Sequence, residues 1–157
     1  MDAMSLQRLS HRLYKKGMPF IPAIINRWIH FRYNCDLSPV TEVGKGSRLG
    51  HGGIGCVVNS KAKIGRNCIL GQNTSIAGKD GGTPTLGDWV YVGHGSIILG
   101  KVTIGNNVFV GALSMVNKDI PDNAIVAGIP AKILRIKTEE EVEKWHKWVL
   151  DNGGKPI

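Results

Sequence analysis

The chain has 157 residues, of which 42% are hydrophobic, and this is enough for one domain with a buried core. Its three cysteines do not form a disulfide framework, and neither a long apolar run nor a signal-peptide pattern is present, which favours a soluble, cytoplasmic protein. The formal net charge of +8 predicts an anionic ligand or surface. Because the basic residues are scattered without interleaved aromatic residues, we expect no nucleic-acid partner.

Residues 1–33 are predicted to form a helical cap. Apolar residues recur at helical spacing in two runs, and Gly17 and Pro19 separate the runs, which predicts two short helices. The apolar faces are Leu6, Leu9 and Leu13 in the first run and Ile21, Ile24, Ile25, Trp28 and Phe31 in the second. A basic helix pair of this kind covers the open end of a β-helix or lies against a membrane or glycolipid surface, and we favour the cap.

A repeat of six residues dominates positions 34–135. An aliphatic residue recurs at every sixth position, and a glycine or alanine follows most of them. The two runs are Val58, Ile64, Leu70 and Ile76, and then Leu86, Val92, Ile98, Ile104, Val110 and Val116. A period of six fits neither an α-helix nor an ordinary strand but is typical of a parallel β-helix. We therefore predict an all-β core built as a hexapeptide β-helix, with helices at its ends.

The repeat fails twice, and function often lies at such irregular places. The step from Leu49 to Val58 is nine residues, so three extra residues lie around positions 51–55. The second failure is a glycine-rich loop at residues 78–84, called the extruded loop below. Both places are candidates for the functional site.

The last segment, residues 136–157, is predicted to be a helix followed by a tail. Thr138 and Glu141 have the spacing of a capping box, and Trp145 and Val149 follow on one helical face. We expect this helix to pack against the β-helix and to cover the edge of its last strand. It is given no catalytic role.

One of the five histidines has the surroundings of a catalytic group. His51 lies at the first failure of the repeat, between glycines, where an imidazole can act as a general base. Asp36 lies fifteen residues earlier, about one coil away. Strands of neighbouring coils are roughly 4.8 Å apart, so this carboxylate can reach and orient the imidazole. We expect surface or packing roles for the histidines of the flanking helices, His11, His30 and His146.

Two stretches of the sequence resemble the serine O-acetyltransferase family. They are Asp36–Pro39 with Gly46–Gly55, which contains the Gly-His-Gly-Gly turn, and the Ala-Gly-Ile-Pro-Ala-Lys run at 127–132. The resemblance covers about residues 36–135. It implies membership of the hexapeptide acyltransferases, which are left-handed β-helices that work as homotrimers, and it implies acetyl-CoA as the acyl donor without a metal.

The resemblance also implies roles for individual residues. His51 would be the base that deprotonates the acceptor hydroxyl while it attacks acetyl-CoA directly, and Asp36 would be its partner. No acyl-enzyme is implied, since no cysteine falls at a recognisable nucleophile position.

The cofactor side of the site is implied in the same way. Gly78, His94 and Ala112 would line the acetyl and pantetheine arm, and a backbone N–H there can stabilise the oxyanion. Lys132 would lie near the nucleotide end of coenzyme A. His94 stands where relatives usually have a small residue, so a contact with the acceptor is an open alternative.

Two departures from the family pattern change the expected acceptor. Relatives that acetylate serine typically have Asp before the catalytic histidine, where this chain has Gly50, and Arg-His-Pro at the loop exit, where it has Gly82-Thr83-Pro84. Gly50 and Thr83 would then contact the acceptor, and neither offers a charged group to the amino or carboxylate group of serine. We therefore expect a sugar of a cell-surface polysaccharide or its precursor, with serine of cysteine biosynthesis as the alternative.

Two other protein classes share this architecture. A γ-class carbonic anhydrase needs three metal-binding histidines, and only His51 and His94 lie in the repeat, so no metal site is expected. A non-catalytic structural β-helix remains the alternative from a different class.

Overall fold

The computed structural model of the chain is a three-sided parallel β-helix with helices at both ends, and it describes residues 2–18 and 20–152. Pro19 and the last five residues of the expected tail lie outside the described residues. The helices are α1 (Ala3–Lys15), α2 (Phe20–Tyr33) and α3 (Glu139–Asp151), and a 3₁₀ turn spans Gly50–Gly53. The strands, in chain order, are β1 (Asp36–Leu37), β2 (Glu42–Val43), β3 (Arg48–Leu49), β4 (Val57–Val58), β5 (Lys63–Ile64), β6 (Ile69–Leu70), β7 (Ser75–Ala77), β8 (Thr85–Leu86), β9 (Tyr91–Val92), β10 (Ile97–Leu99), β11 (Thr103–Ile104), β12 (Phe109–Val110), β13 (Met115–Val116), β14 (Ala124–Gly128) and β15 (Ala131–Ile136).

The strands stack into three parallel sheets, one on each side of the coil. The first sheet has the order β1-β4-β7-β10-β13, and the second has β2-β5-β8-β11. The third has β3-β6-β9-β12-β14, with β15 added antiparallel to β14. Successive strands of the chain lie in different sheets, so a coil takes one strand from each. The prediction of a left-handed hexapeptide β-helix with terminal helices is confirmed.

The repeated aliphatic residues fill the inside of the coil. All ten residues of the two predicted runs are at most 4% exposed. They stack in register, for example Leu70 on Val92 and Val92 on Val110. Full burial of such a side chain stabilises the fold by roughly 1.5–3 kcal/mol, so each residue of these columns contributes to stability on this scale.

The strand register measures both failures of the repeat. A regular coil, from Val57 to Ser75, takes 18 residues. Asp36 pairs with Val57 across 21 residues and Ser75 with Ile97 across 22. The first coil therefore contains three extra residues, as predicted, and the extruded loop adds four.

Helix α1 lies across the first coil. Gln7 Nε2 donates to the carbonyl oxygens of Ser38 and Thr41 at 3.0 and 2.7 Å, and Arg8 donates to the carbonyl of Ser47 at 2.9 Å. These bonds satisfy backbone acceptors of the first coil that have no preceding coil to pair with. Side chains that reach backbone groups in this way anchor the helix to the β-helix.

The apolar faces predicted for α1 and α2 are wrong in detail. Leu9 is 39% exposed, and Ile24 and Phe31 are 68% and 87% exposed. The buried residues are instead Ala3, Met4, Gln7 and Ser10 in α1 and Pro22 and Ile29 in α2. Small and polar residues face inward because α1 approaches the backbone of the coil closely and hydrogen-bonds to it.

The chain reverses direction after the last coil. β15 runs antiparallel to β14, so the parallel coil ends near Gly128, whereas the expected boundary was residue 135. This strand, and not α3, covers the edge of the last strand of the third sheet. Helix α3 lies instead against the outer face of the third sheet.

Helix α3 packs on the outer face of the third sheet. Its capping box is present, with Glu141 N donating to Thr138 Oγ1 at 3.3 Å and Thr138 N donating to Glu141 Oε2 at 2.9 Å. Trp145 Nε1 donates to the Trp89 carbonyl at 2.9 Å. The expected packing against the β-helix is confirmed.

Candidate active site

His51 lies at the turn from the third sheet to the first. Its φ is +47°, followed by +72° at Gly52 and +86° at Gly53. Glycine adopts such angles at little cost, whereas other residues do so less often, and eight further non-glycine residues of the described chain share a positive φ. The turn leaves His51 exposed at an edge of the coil.

The strand register defines the positions that lie along this edge. Leu49, Leu70, Val92, Val110 and Val126 stack on one another in the third sheet. Two residues after them come His51, Gln72, His94, Ala112 and Gly128, and we call this line the His51 edge. The structure therefore brings together His51, His94 and Ala112 of the predicted site.

His94 leans toward His51. The two ring centroids are 5.8 Å apart with the rings tilted by 51°. A Cβ on Gly71 would lie 2.6 Å from His94 Nδ1, and one on Gly50 would lie 3.9 Å from His94 Cε1. Glycine at both positions thus leaves the space that the His94 ring uses.

Asp36 lies at the start of the first sheet with its side chain exposed. Its amide donates to the Cys56 carbonyl at 2.8 Å, but among the residues that the structure describes no hydrogen bond or ion pair joins it to His51. Asp36 lines a groove of about 800 Å³ beside α2, together with Arg27 and His30. The Asp36–His51 pairing stays a prediction.

The extruded loop lies at a different edge of the coil. It joins β7 of the first sheet to β8 of the second, whereas His51 lies between the third and first sheets. Thr83 Oγ1 donates to the Lys61 carbonyl at 3.2 Å, and Gly78 is exposed. Within one chain, neither Gly78 nor Thr83 is brought to His51.

Three groups predicted to contact the cofactor have free hydrogen-bonding capacity. Among the described residues, the backbone N–H groups of Gly78 and Ala112 donate no hydrogen bond. Lys132 is exposed on β15, paired through its backbone with Ala127, and makes no ion pair in the described part of the chain. An unpaired ammonium is suited to a phosphate.

The cysteines are poorly suited to nucleophilic chemistry. Burial raises the pKa of the Cys35 thiol to about 12 and that of Cys68 to about 11. Cys56 is fully buried, with Sγ 3.1 Å from the Gly71 carbonyl. Because the thiolate is the nucleophile, these thiols are unreactive near neutral pH. This supports direct transfer without an acyl-enzyme.

The flanking histidines have structural contacts. His11 Nδ1 lies 2.8 Å from the Pro39 carbonyl, and His146 stacks on Trp89 with Nε2 2.7 Å from Asn107 Oδ1. His11 and His146 therefore have packing contacts, and His30 is exposed. In residues 2–18 and 20–152, no three His, Cys, Asp or Glu side chains form a cluster for a metal ion.

No helix in the described ranges is long and apolar enough to span a bilayer.

Sequence reasoning missed Gln72 on the His51 edge and Gly71 beside it. Gly71 looked like any other glycine of the repeat, and Gln72 follows it on the surface side. Counting the register across the extruded loop would have placed both beside His94, because Leu70 pairs with Val92.

In comparisons with known proteins, the chain is similar to serine acetyltransferases. A serine acetyltransferase of Synechocystis sp. is 34% identical over 161 aligned residues, which cover 100% of this chain and 64% of that protein. One of Synechococcus elongatus is 33% identical over 137 residues, covering 85% of this chain and 56% of that protein. No family model matches the chain.

Solved structures give the same result. The crystal structure of Neisseria gonorrhoeae serine acetyltransferase superposes with a TM-score of 0.81 at 29% identity, covering 90% of this chain and 56% of that one. Soybean serine acetyltransferase complexed with serine gives 0.79 at 31%, covering 84% and 56%. The chain spans about half to two thirds of the length of the relatives that it matches. It is a member of the hexapeptide-repeat acyltransferase superfamily, in the serine O-acetyltransferase-like branch.

Proposed function

We propose that the chain is an acetyl-CoA-dependent O-acetyltransferase that transfers the acetyl group directly to an acceptor hydroxyl. The observation that carries the proposal is its similarity to serine acetyltransferases at 33–34% identity over 85–100% of its length. The exposed His51, with His94 and Ala112 on the same edge, supports it from the structure.

The proposed reaction needs one base and one oxyanion donor. His51 accepts the proton of the acceptor hydroxyl while the hydroxyl oxygen attacks the thioester carbonyl carbon. A free backbone N–H, such as that of Ala112, stabilises the oxyanion of the tetrahedral intermediate. The intermediate collapses with loss of the coenzyme A thiolate, which takes the proton back from His51. Asp36 would hold the imidazole in the tautomer that accepts the proton.

A site of this kind would need two copies of the chain. Gly78 and Thr83 lie at a different edge from His51, so a neighbouring subunit would have to bring its extruded loop to the His51 edge. We therefore propose a homotrimer, in which each His51 edge faces the loop edge of the next subunit. Lys132 would meet the phosphates of coenzyme A.

Serine is the acceptor that the relatives support, and the comparisons give no support to a sugar. One structural observation keeps a sugar hydroxyl as a second candidate. Gly50 has no side chain, and the Thr83 hydroxyl is already bonded to the Lys61 carbonyl. Neither position offers a charged group to the amino or carboxylate group of serine.

Thiol release from acetyl-CoA by the purified chain separates these acceptors. The assay compares serine with free sugars and nucleotide sugars, and includes Gly50→Asp. The new Cβ would be 3.5 Å or more from its neighbours, so this variant is expected to fold. Saturable serine turnover that Gly50→Asp improves supports serine. Turnover with a sugar alone assigns the second candidate, and no turnover with any acceptor contradicts the proposed function.

A further inference from the structure

We propose that His94 is an acceptor-positioning residue, whose imidazole contacts the molecule that His51 deprotonates. The proposal rests on the acetyl-transfer function proposed above and adds a second side chain to the same site. It assigns His94 a contact with the acceptor, whereas the family resemblance implies a contact with the acetyl and pantetheine arm of the cofactor.

The first argument is the direction of the ring. His94 follows His51 by two coils, and neighbouring strands are roughly 4.8 Å apart, so the backbones are separated by about 10 Å. The ring centroids nevertheless lie only 5.8 Å apart. The His94 ring therefore leans back across the intervening coil toward His51.

The second argument is the space made for the ring. At Gly71 a Cβ would lie 2.6 Å from His94 Nδ1 and 2.7 Å from its backbone nitrogen, so no other residue fits there without movement. Gly71 is not among the residues with positive φ, so this glycine serves close approach and not a turn. Gly50 leaves the other side of the ring open.

The third argument is unused hydrogen-bonding capacity. His94 Nδ1 and Gln72 Oε1 are buried and have no hydrogen-bond partner in the described residues. Buried polar atoms without partners are uncommon and unfavourable. Two of them lie in neighbouring coils of the His51 edge, since the Gly95 amide beside His94 donates to the Gln72 carbonyl at 2.9 Å. Unpaired buried atoms at this edge fit an edge that is completed by a polar ligand, but Nδ1 itself lies against Gly71 and is not the atom that would meet it.

The orientation of the ring indicates how it would meet the acceptor. Nδ1 lies against Gly71, and Cε1 faces Gly50. The remaining nitrogen, Nε2, is then the atom for a hydrogen bond to a polar group near the reacting hydroxyl. That group is the carboxylate of serine or a neighbouring hydroxyl of a sugar. The His94 imidazole would supply part of the polar contact with the acceptor that Gly50 and Thr83 do not provide.

Acceptor binding without turnover tests this proposal. Imidazole resonances in ¹H–¹⁵N spectra of the full chain are followed during titration with serine and, separately, with glucose. One of the two probes is expected to shift the His51 and His94 resonances together and to leave His146 unchanged. His94→Ala should weaken that binding about 2- to 10-fold, the range for one lost hydrogen bond. His94→Gln, which keeps a hydrogen-bonding group, should retain most of it.

Gly71→Ala provides a second variant, because it keeps His94 while its Cβ would meet both the ring, 2.6 Å from Nδ1, and the His94 backbone nitrogen at 2.7 Å, and so displace the whole residue. It should weaken acceptor binding while acetyl-CoA binding stays as in the wild type. The thermal midpoint of each variant is measured to confirm folding.

Three results would overturn the proposal: unchanged acceptor binding by folded His94→Ala, a loss confined to acetyl-CoA binding, or no binding of either probe to the wild type. Thiol release is measured on the same preparation. Acceptor binding through His94 without any thiol release would defeat the acetyl-transfer function and leave the binding role of His94 standing.

Discussion

His51 combines exposure with a backbone angle that suits glycine better than histidine. Its φ of +47° lies in the left-handed region. For a residue other than glycine such a conformation costs of order 1–3 kcal/mol. The flanking glycines adopt their own positive angles freely, so the strain of the turn falls on one side chain. Trp89 and Leu113 have similar angles elsewhere in the coil, so it is the exposure of the imidazole in an open turn, and not the angle alone, that distinguishes His51.

Relieving this strain should stabilise the protein. His51→Gly is expected to raise the free energy of unfolding by about 1 kcal/mol relative to His51→Ala, since alanine keeps the unfavourable φ and glycine does not. Denaturant unfolding of the two variants measures the difference. A His51→Gly variant less stable than His51→Ala would show that the turn is not strained at this residue.

At the scale of elements, α3 depends on a charged pair at its first turn. Arg135 donates to both carboxylate oxygens of Glu141, at 2.8 and 2.6 Å, and Glu141 completes the capping box with Thr138. The hydrogen bonds from Arg135, followed by the bond to the Thr138 backbone, lower the pKa of Glu141 to about 2. The stabilising form of this residue is therefore the carboxylate.

The sign of the resulting pH dependence follows from the lowered pKa. The pair contributes fully above the ordinary pKa of a glutamate, about 4.3, and its contribution falls as the pH drops from there toward about 2. Unfolding at pH 5 and pH 3 should show a larger loss of stability for the wild type than for Glu141→Gln. An equal loss in both proteins would contradict the assignment.

The elements also show what the sequence can predict. The aliphatic residue of each hexapeptide must point into the coil, so the period alone defined the core and both interruptions. The capping box is equally local. The faces of α1 and α2 were not predictable in this way, because Gln7 and Arg8 bond to backbone groups far along the chain. The neighbours of His51 required the register of strands that lie in separate coils.

At the scale of the whole molecule, the predicted site residues of one chain lie at two different edges of the coil. His51, His94 and Ala112 share one edge, and Gly78 and Thr83 share another. The family resemblance implied both groups but not their separation, since a linear repeat does not state which positions meet. In the proposed homotrimer the two edges come together between subunits. The net charge of the chain, +8, also favours binding of the phosphates of coenzyme A.

The most direct test of the central claim is the rate of thiol release from acetyl-CoA by His51→Ala with a saturating acceptor. The account predicts a fall in kcat of about 10²–10⁴-fold, the contribution of a general base. The thermal midpoint of the variant should stay close to that of the wild type. The matched control is His146→Gln, a histidine of α3 on the outer face of the third sheet, which should keep wild-type turnover. A folded His51→Ala variant with kcat within a few-fold of the wild type would contradict the account.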